Sequence, residues 1–330
     1  LVIGGWWLVE GGFLYRQFRP PITNHQPPTT ISMIAARITP KIVWLGLALN
    51  LGAWLATNLP ARAGLTQRMW VTESLIKTVS LCMAYALALA LNLEIAAEYR
   101  QTQWLRVAWL ALAANAGVSV VRIIVESALL NLAWPGYTRT PLWGLLQHLA
   151  IVPANIFLLS GLLAMWWAYH QVGLGFNVKL HDYVAIGAVL AMIVALMLSR
   201  EGLSEARSPY DFSRWLQLAG LVLLSLSAAV SFVLQRMTMQ MGGGKLAVAL
   251  RFLTFYTLLR GVLVLAQAGN RMALLDGLPA GLVHPLLLEV FWQIVPWGAA
   301  LAAAYRAEMT VDAARKLEQR RAARSTLVSA

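Results

Sequence analysis

Apolar runs of about 20 residues recur along this chain, and a helix of that length spans the roughly 30 Å hydrocarbon core of a bilayer. The extreme case is residues 140–178, which contain no Asp, Glu, Lys or Arg. A helix made from that stretch has no charged side to turn toward water, so it belongs in lipid rather than on the surface of a soluble domain. Only 12% of the chain is charged and 59% is hydrophobic, against about a quarter charged in an ordinary soluble domain. The expected fold is therefore an all-α, polytopic transmembrane helix bundle.

Charge-poor runs and their flanks place about eight spans. They cover Ile42–Leu59, Thr72–Ile95, Trp104–Leu130, Leu142–Tyr169, Tyr183–Ser199, Trp215–Gln235, Leu246–Ala268 and Leu282–Tyr305. Three regions follow: an N-terminal apolar segment and Pro-rich arm (1–41), a transmembrane bundle (42–305) and a basic helix or tail (306–330). The first fifteen residues are apolar and Trp-rich, with Arg16 and Arg19 after them. That order is the reverse of a signal peptide and suggests a truncated span or an interfacial segment. The connections are short, which leaves function to the bilayer, its two faces or a partner.

The formal net charge is +12, but the basic residues stand singly between apolar runs. They read as topology signals rather than as a nucleic-acid surface. The densest cluster, Arg306, Arg315, Lys316, Arg320, Arg321 and Arg324, is expected on the cytoplasmic side. Eight crossings then put both termini in the cytoplasm, in a membrane of the bacterial inner type. Trp70, Trp134, Trp143, Trp215 and Trp297 fall near span ends, where indoles favour the headgroup layer.

Charge inside a span costs about 2.5–3.5 kcal/mol on insertion scales, so each such residue needs a partner or water. Lys77, Arg122, Glu126, Arg260 and Glu289 lie within candidate spans, and His148 sits early in the fourth. Counted from the outer helix ends at 1.5 Å per residue, Lys77, Glu126, His148, Arg260 and Glu289 share a layer in the outer third of the bilayer. Arg122 and Glu126 are four apart, where opposite charges on one helix face can meet. These six residues form the candidate ligand-binding set, a polar pocket open to the outside and suited to a hydrated anion or a quinone-like ligand. The competing reading is structural: ion pairs, Arg122 with Glu126 and Arg260 with Glu289, that hold helices together.

Catalytic and cofactor signatures are absent. Cys82 is the only cysteine, which excludes an internal disulfide and a cysteine zinc site. There is no H-E-x-x-H, and Gly242-Gly243-Gly244-Lys245 lacks the flanking Gly and Ser or Thr of a phosphate loop. It reads as a turn. The histidines do not pair at matched depth, so no haem site is supported, and no cofactor is assigned.

The leading expectation is a non-enzymatic membrane module, either a ligand sensor or input domain or an anchoring subunit of a larger complex. Its C-terminal helix, which has no breaker from Tyr305 to Arg324, would reach a protein partner or an output domain. The alternatives are a proton-coupled secondary transporter of a small organic anion and a quinone-interacting subunit of a redox complex. The expected partners are the lipid bilayer, a protein partner and a small ligand, with no role for nucleic acid.

Overall fold

The computed structural model describes residues 37–62, 70–99, 102–128, 141–171, 187, 210–240, 244–271 and 283–329. Among them are seven long helices and no strands: α1 (Pro40–Arg62), α2 (Trp70–Glu98), α3 (Gln103–Ala128), α4 (Pro141–Gln171), α5 (Tyr210–Gln240), α6 (Lys245–Arg271) and α7 (Val283–Ser329). The N-terminal arm and the expected span Tyr183–Ser199 lie outside the described residues, apart from 37–41 of the arm and Gly187 of the span.

Local sequence sets the helix starts. Pro40 occupies the first turn of α1, where its missing N–H is no loss, and the carbonyl of Thr39 receives the amides of Ile42 and Val43. Thr102 plays the same part for α3, accepting from Arg106 at 3.0 Å. Gly244 precedes α6 with φ +94°, a left-handed conformation that glycine adopts without a Cβ clash.

Among the described residues, five helices are long and apolar enough to cross a membrane: Pro40–Pro60, Leu75–Glu98, Gln103–Ser127, Leu149–Gln171 and Ala219–Thr238. Large apolar side chains such as Leu45, Leu49, Val121, Ile124 and Leu163 are exposed on them. Exposed apolar surface of this extent suits contact with acyl chains and would be a liability in water. The chain is accordingly an integral membrane protein.

Each helix from α2 to α7 packs on the next, and α7 returns to α2, which closes a six-helix ring; α1 lies against α2 and α7. Small residues let the helices approach, as membrane packing requires when lipid is as apolar as the interface. A Cβ built on Gly161 of α4 would lie 2.9 Å from the Ala108 carbonyl oxygen of α3, and one on Gly46 of α1 would lie 2.8 Å from the Trp297 ring. On α7, Ala300, Ala302, Ala303 and Ala304 are all buried.

Contacts fix the helix directions. Gly161 lies at Ala108 while Asn115 reaches Ala154, so α3 and α4 are antiparallel. Gly117 lies at Leu89 while Thr78 meets Ser127, so α2 and α3 are antiparallel too. Gly261 faces Leu224 and Thr254 bonds to Ser231, which makes α5 and α6 antiparallel. Tyr256 abuts Gly298 while Lys245 bonds to Asp312, and the same follows for α6 and α7. Ser80 meets Trp297 and Tyr99 meets Arg306, so α7 runs parallel to α2. Around the ring, α4 and α5 therefore point the same way.

At 47 residues, α7 is about 70 Å long at 1.5 Å per residue. Its apolar half completes the ring and its basic half continues past one face, here termed the tail face. At that edge Lys245 Nζ donates to Asp312 Oδ2 and lies 3.1 Å from Glu308 Oε1. Burial opposes the Lys245 ammonium, but the hydrogen bonds and negative charge of Asp312 and Glu308 outweigh it and hold its pKa above that of a free lysine.

Candidate functional site

Arg260 sits near the middle of α6 and is 5% exposed. Guanidinium does not lose its proton in proteins, so this is a fixed charge inside the ring. Its Nη1 donates to the hydroxyl of Tyr256, one turn back on the same helix. The guanidinium also stands 5.7 Å from the Tyr256 ring centroid, and Tyr85 of α2 packs edge-on to that ring at 6.5 Å. A ring quadrupole and a hydroxyl lone pair thus face the cation.

The hydroxyl passes the interaction on. Tyr256 donates to Asn115 Oδ1 at 3.3 Å, and Asn115 Nδ2 donates to the Ala154 carbonyl at 2.6 Å. Beside it, Asn155 Nδ2 donates to the Gly220 carbonyl at 3.0 Å. The chain from Arg260 to Asn115 and Ala154 joins α6, α3 and α4, and Asn155 carries the contact to α5. Each remaining ring interface has its own bond. Thr78 reaches Ser127 (3.1 Å), Ser231 meets Thr257 (2.8 Å), Trp297 Nε1 reaches Ser80 (3.3 Å), and Lys245 reaches Asp312. Interhelical side-chain bonds in bilayers average about 0.6 kcal/mol each. Their main consequence here is register, because each fixes the level of one helix against its neighbour.

The sequence-expected ligand set is spread over the half of the ring away from the tail face. Arg122 Nε lies 3.7 Å from Glu126 Oε1 on α3, with both side chains partly buried. Lys77 is exposed on α2, next to Thr78 and so level with Ser127. Glu289 is partly buried on α7 and has an interaction partner. Since Tyr256 abuts Gly298, Arg260 is roughly level with Gln293, one turn from Glu289. Gln293 is buried, and neither atom of its amide has a partner among the described groups. His148 falls on α4, and its side chain lies outside the described residues. Among the described contacts, Arg122 is joined to Glu126, whereas Arg260 is joined to Tyr256 and the aromatic cluster.

Several polar residues escaped the sequence reading. Tyr256 could have been found as the residue four before Arg260. Asn115 was visible as the one amide in a run of small residues, Ala113 to Gly117. Arg306, counted with the basic tail, is buried: it donates to the Tyr99 hydroxyl and its guanidinium stands 5.1 Å over the Tyr99 ring. Buried Tyr169 lies close to both, and Glu94 is buried a turn before Tyr99. A second charged cluster therefore ties α2, α4 and α7 together near the tail face. Compared with family models, with characterised proteins and with solved structures, the chain matches none.

Proposed function

We propose that this protein is a non-enzymatic membrane relay, in which a polar layer inside the ring responds to a small ligand and α7 carries the response to a partner on the cytoplasmic side. The observation that carries this reading is the continuity of α7. One unbroken helix packs against α1, α2 and α6 and then extends beyond the Lys245 contact as a basic stalk. Pro296 removes one backbone hydrogen bond of α7 inside the ring, but no proline follows it, so displacement of the segment from Trp297 to Arg306, which bonds to Ser80 and Tyr99 of α2, is transmitted to the stalk.

Arg260 is the centre of the responsive layer in this reading, with Lys77, Arg122, Glu126, His148 and Glu289 around it. The buried cation has a hydroxyl and aromatic rings as its described partners, and the nearby Gln293 amide offers a donor and an acceptor. An anionic or strongly hydrogen-bonding ligand would gain from both.

The proposal includes eight crossings with both termini in the cytoplasm of a bacterial cell. Supporting it, α4 and α5 point the same way, so the chain between Gln171 and Tyr210 has to return across the membrane. The apolar run Tyr183–Ser199 is there to do so.

The relay is tested by spin labels on Arg251→Cys of α6 and Gln319→Cys of the stalk, both exposed positions, in a Cys82→Ala background. Neutralising the core with Arg260→Gln is expected to shift the distance between labels by about 1–2 Å or to broaden its distribution, as helix shifts do. Identical distributions for Arg260→Gln, Glu289→Gln and the parent would contradict the relay.

A further inference from the structure

A cavity of about 20 Å³ lies inside the ring, toward the tail face from Arg260. Its polar wall is formed by Asn92 of α2, Trp109 and Asn115 of α3, and Tyr256 of α6, while Ala249 and Ala303 are among the apolar residues opposite. The space exists because α6 and α7 present methyl groups where the facing helices present an amide and an indole. A single water requires roughly 10–15 Å³ by the same measure, so the cavity has room for one.

Two of the polar groups in this wall lack partners. Asn92 Oδ1 and Trp109 Nε1 make no hydrogen bond to a described protein group, although the side chains are 5% and 3% exposed. Buried polar atoms of native proteins are nearly always satisfied by protein or by ordered water. One is an acceptor and the other a donor. The molecule that serves both must accept from an indole N–H and donate to an amide oxygen within the volume of one water. A carboxylate cannot donate and a gas atom does neither, whereas a water does both. Turning the Asn92 amide over leaves two donors in the wall, which a water's two lone pairs also satisfy.

We propose that the ring holds a fixed water bridging Asn92 of α2 to Trp109 of α3. Asn115 and Tyr256 line the same cavity, so this water stands beside the Arg260–Tyr256–Asn115 chain and extends it to α2. The alanines of α6 and α7 keep the space open. This inference is independent of the relay reading and stands or falls separately.

X-ray hydroxyl-radical footprinting with mass spectrometry tests it on the intact protein in nanodiscs, because radicals formed from a bound water oxidise the side chain beside it. Trp54 and Trp297, 1% and 0% exposed, serve as buried references. Trp109 is expected to be modified many-fold faster than either. In Ala303→Val, whose added methyl groups fill the cavity, the Trp109 rate is expected to fall to the reference rate. Modification of wild-type Trp109 no faster than Trp54 would overturn the proposal whatever the variant does. An unchanged fast rate in a folded Ala303→Val would also overturn it, by placing the source of radicals elsewhere.

Discussion

Tyr256→Phe is expected to destabilise the protein by about 1.5–3 kcal/mol, the usual worth of a hydrogen bond to a charged group. The substitution removes one oxygen, and with it the acceptor of Arg260 Nη1 and the donor to Asn115 Oδ1. The ring remains, so packing changes little and the loss is electrostatic. Arg260→Met is expected to cost much less, since an apolar side chain of similar length removes the buried charge together with its need for a partner. The double variant Tyr256→Phe/Arg260→Met should therefore be more stable than Tyr256→Phe alone. Thermal unfolding of the four proteins in one detergent measures the cycle. Additive losses would mean that Arg260 and Tyr256 do not depend on each other.

The second large effect concerns the seam between α3 and α4. Alanine in place of a helical glycine ordinarily gains about 1 kcal/mol, and at Gly52 of α1, where nothing lies within 4 Å of an added Cβ, Gly52→Ala should be neutral or stabilising. At Gly161 the same methyl would meet the Ala108 carbonyl at 2.9 Å and the Leu112 side chain at 3.2 Å. A backbone oxygen in a helix cannot step aside as a side chain can. Overpacking of this kind costs about 1–3 kcal/mol or more, which exceeds the propensity gain. Gly161→Ala is thus expected to lower the unfolding temperature, with Gly161→Leu lowering it further. The damage should extend to Asn115→Ala154, the bond a short way along the same seam. Equal behaviour of the Gly52 and Gly161 variants in the same assay would rule out the close approach.

The helices themselves were legible because charge-poor runs of spanning length have few alternative folds. The expected Trp104–Leu130 and Leu142–Tyr169 correspond to Gln103–Ala128 and Pro141–Gln171, and the continuation beyond Tyr305 follows from the absence of a breaker. Arg122 and Glu126 were placed together by helical spacing alone. The order of helices around the ring was not legible, since it depends on where small residues let backbones meet. Gly46 and Gly161 look in sequence like any other glycine in an apolar run.

Partner identity was the other hidden element. A search for charges sees Arg260 and looks for a carboxylate, whereas the structure supplies a tyrosine hydroxyl and two aromatic rings. Arg306 was hidden for the opposite reason. A positive residue at a span end reads as a topology signal facing water, yet Tyr99 draws it into the helix packing. Asn115 carries no charge and so attracts no attention, although it connects three helices.

Cysteine accessibility mapping tests the central claim most directly. Single cysteines at Asn177, Ser208 and Ser325, in a Cys82→Ala background, are exposed to a membrane-impermeant thiol reagent in intact cells and again after permeabilisation. The parallel course of α4 and α5 predicts that Asn177→Cys and Ser208→Cys react from opposite sides, with Ser325→Cys on the side of Asn177→Cys; with the proposed cytoplasmic tail, Ser208→Cys is the one that reacts in intact cells. Reaction of Asn177→Cys and Ser208→Cys from one and the same side would contradict the parallel course of α4 and α5 and with it the closed ring.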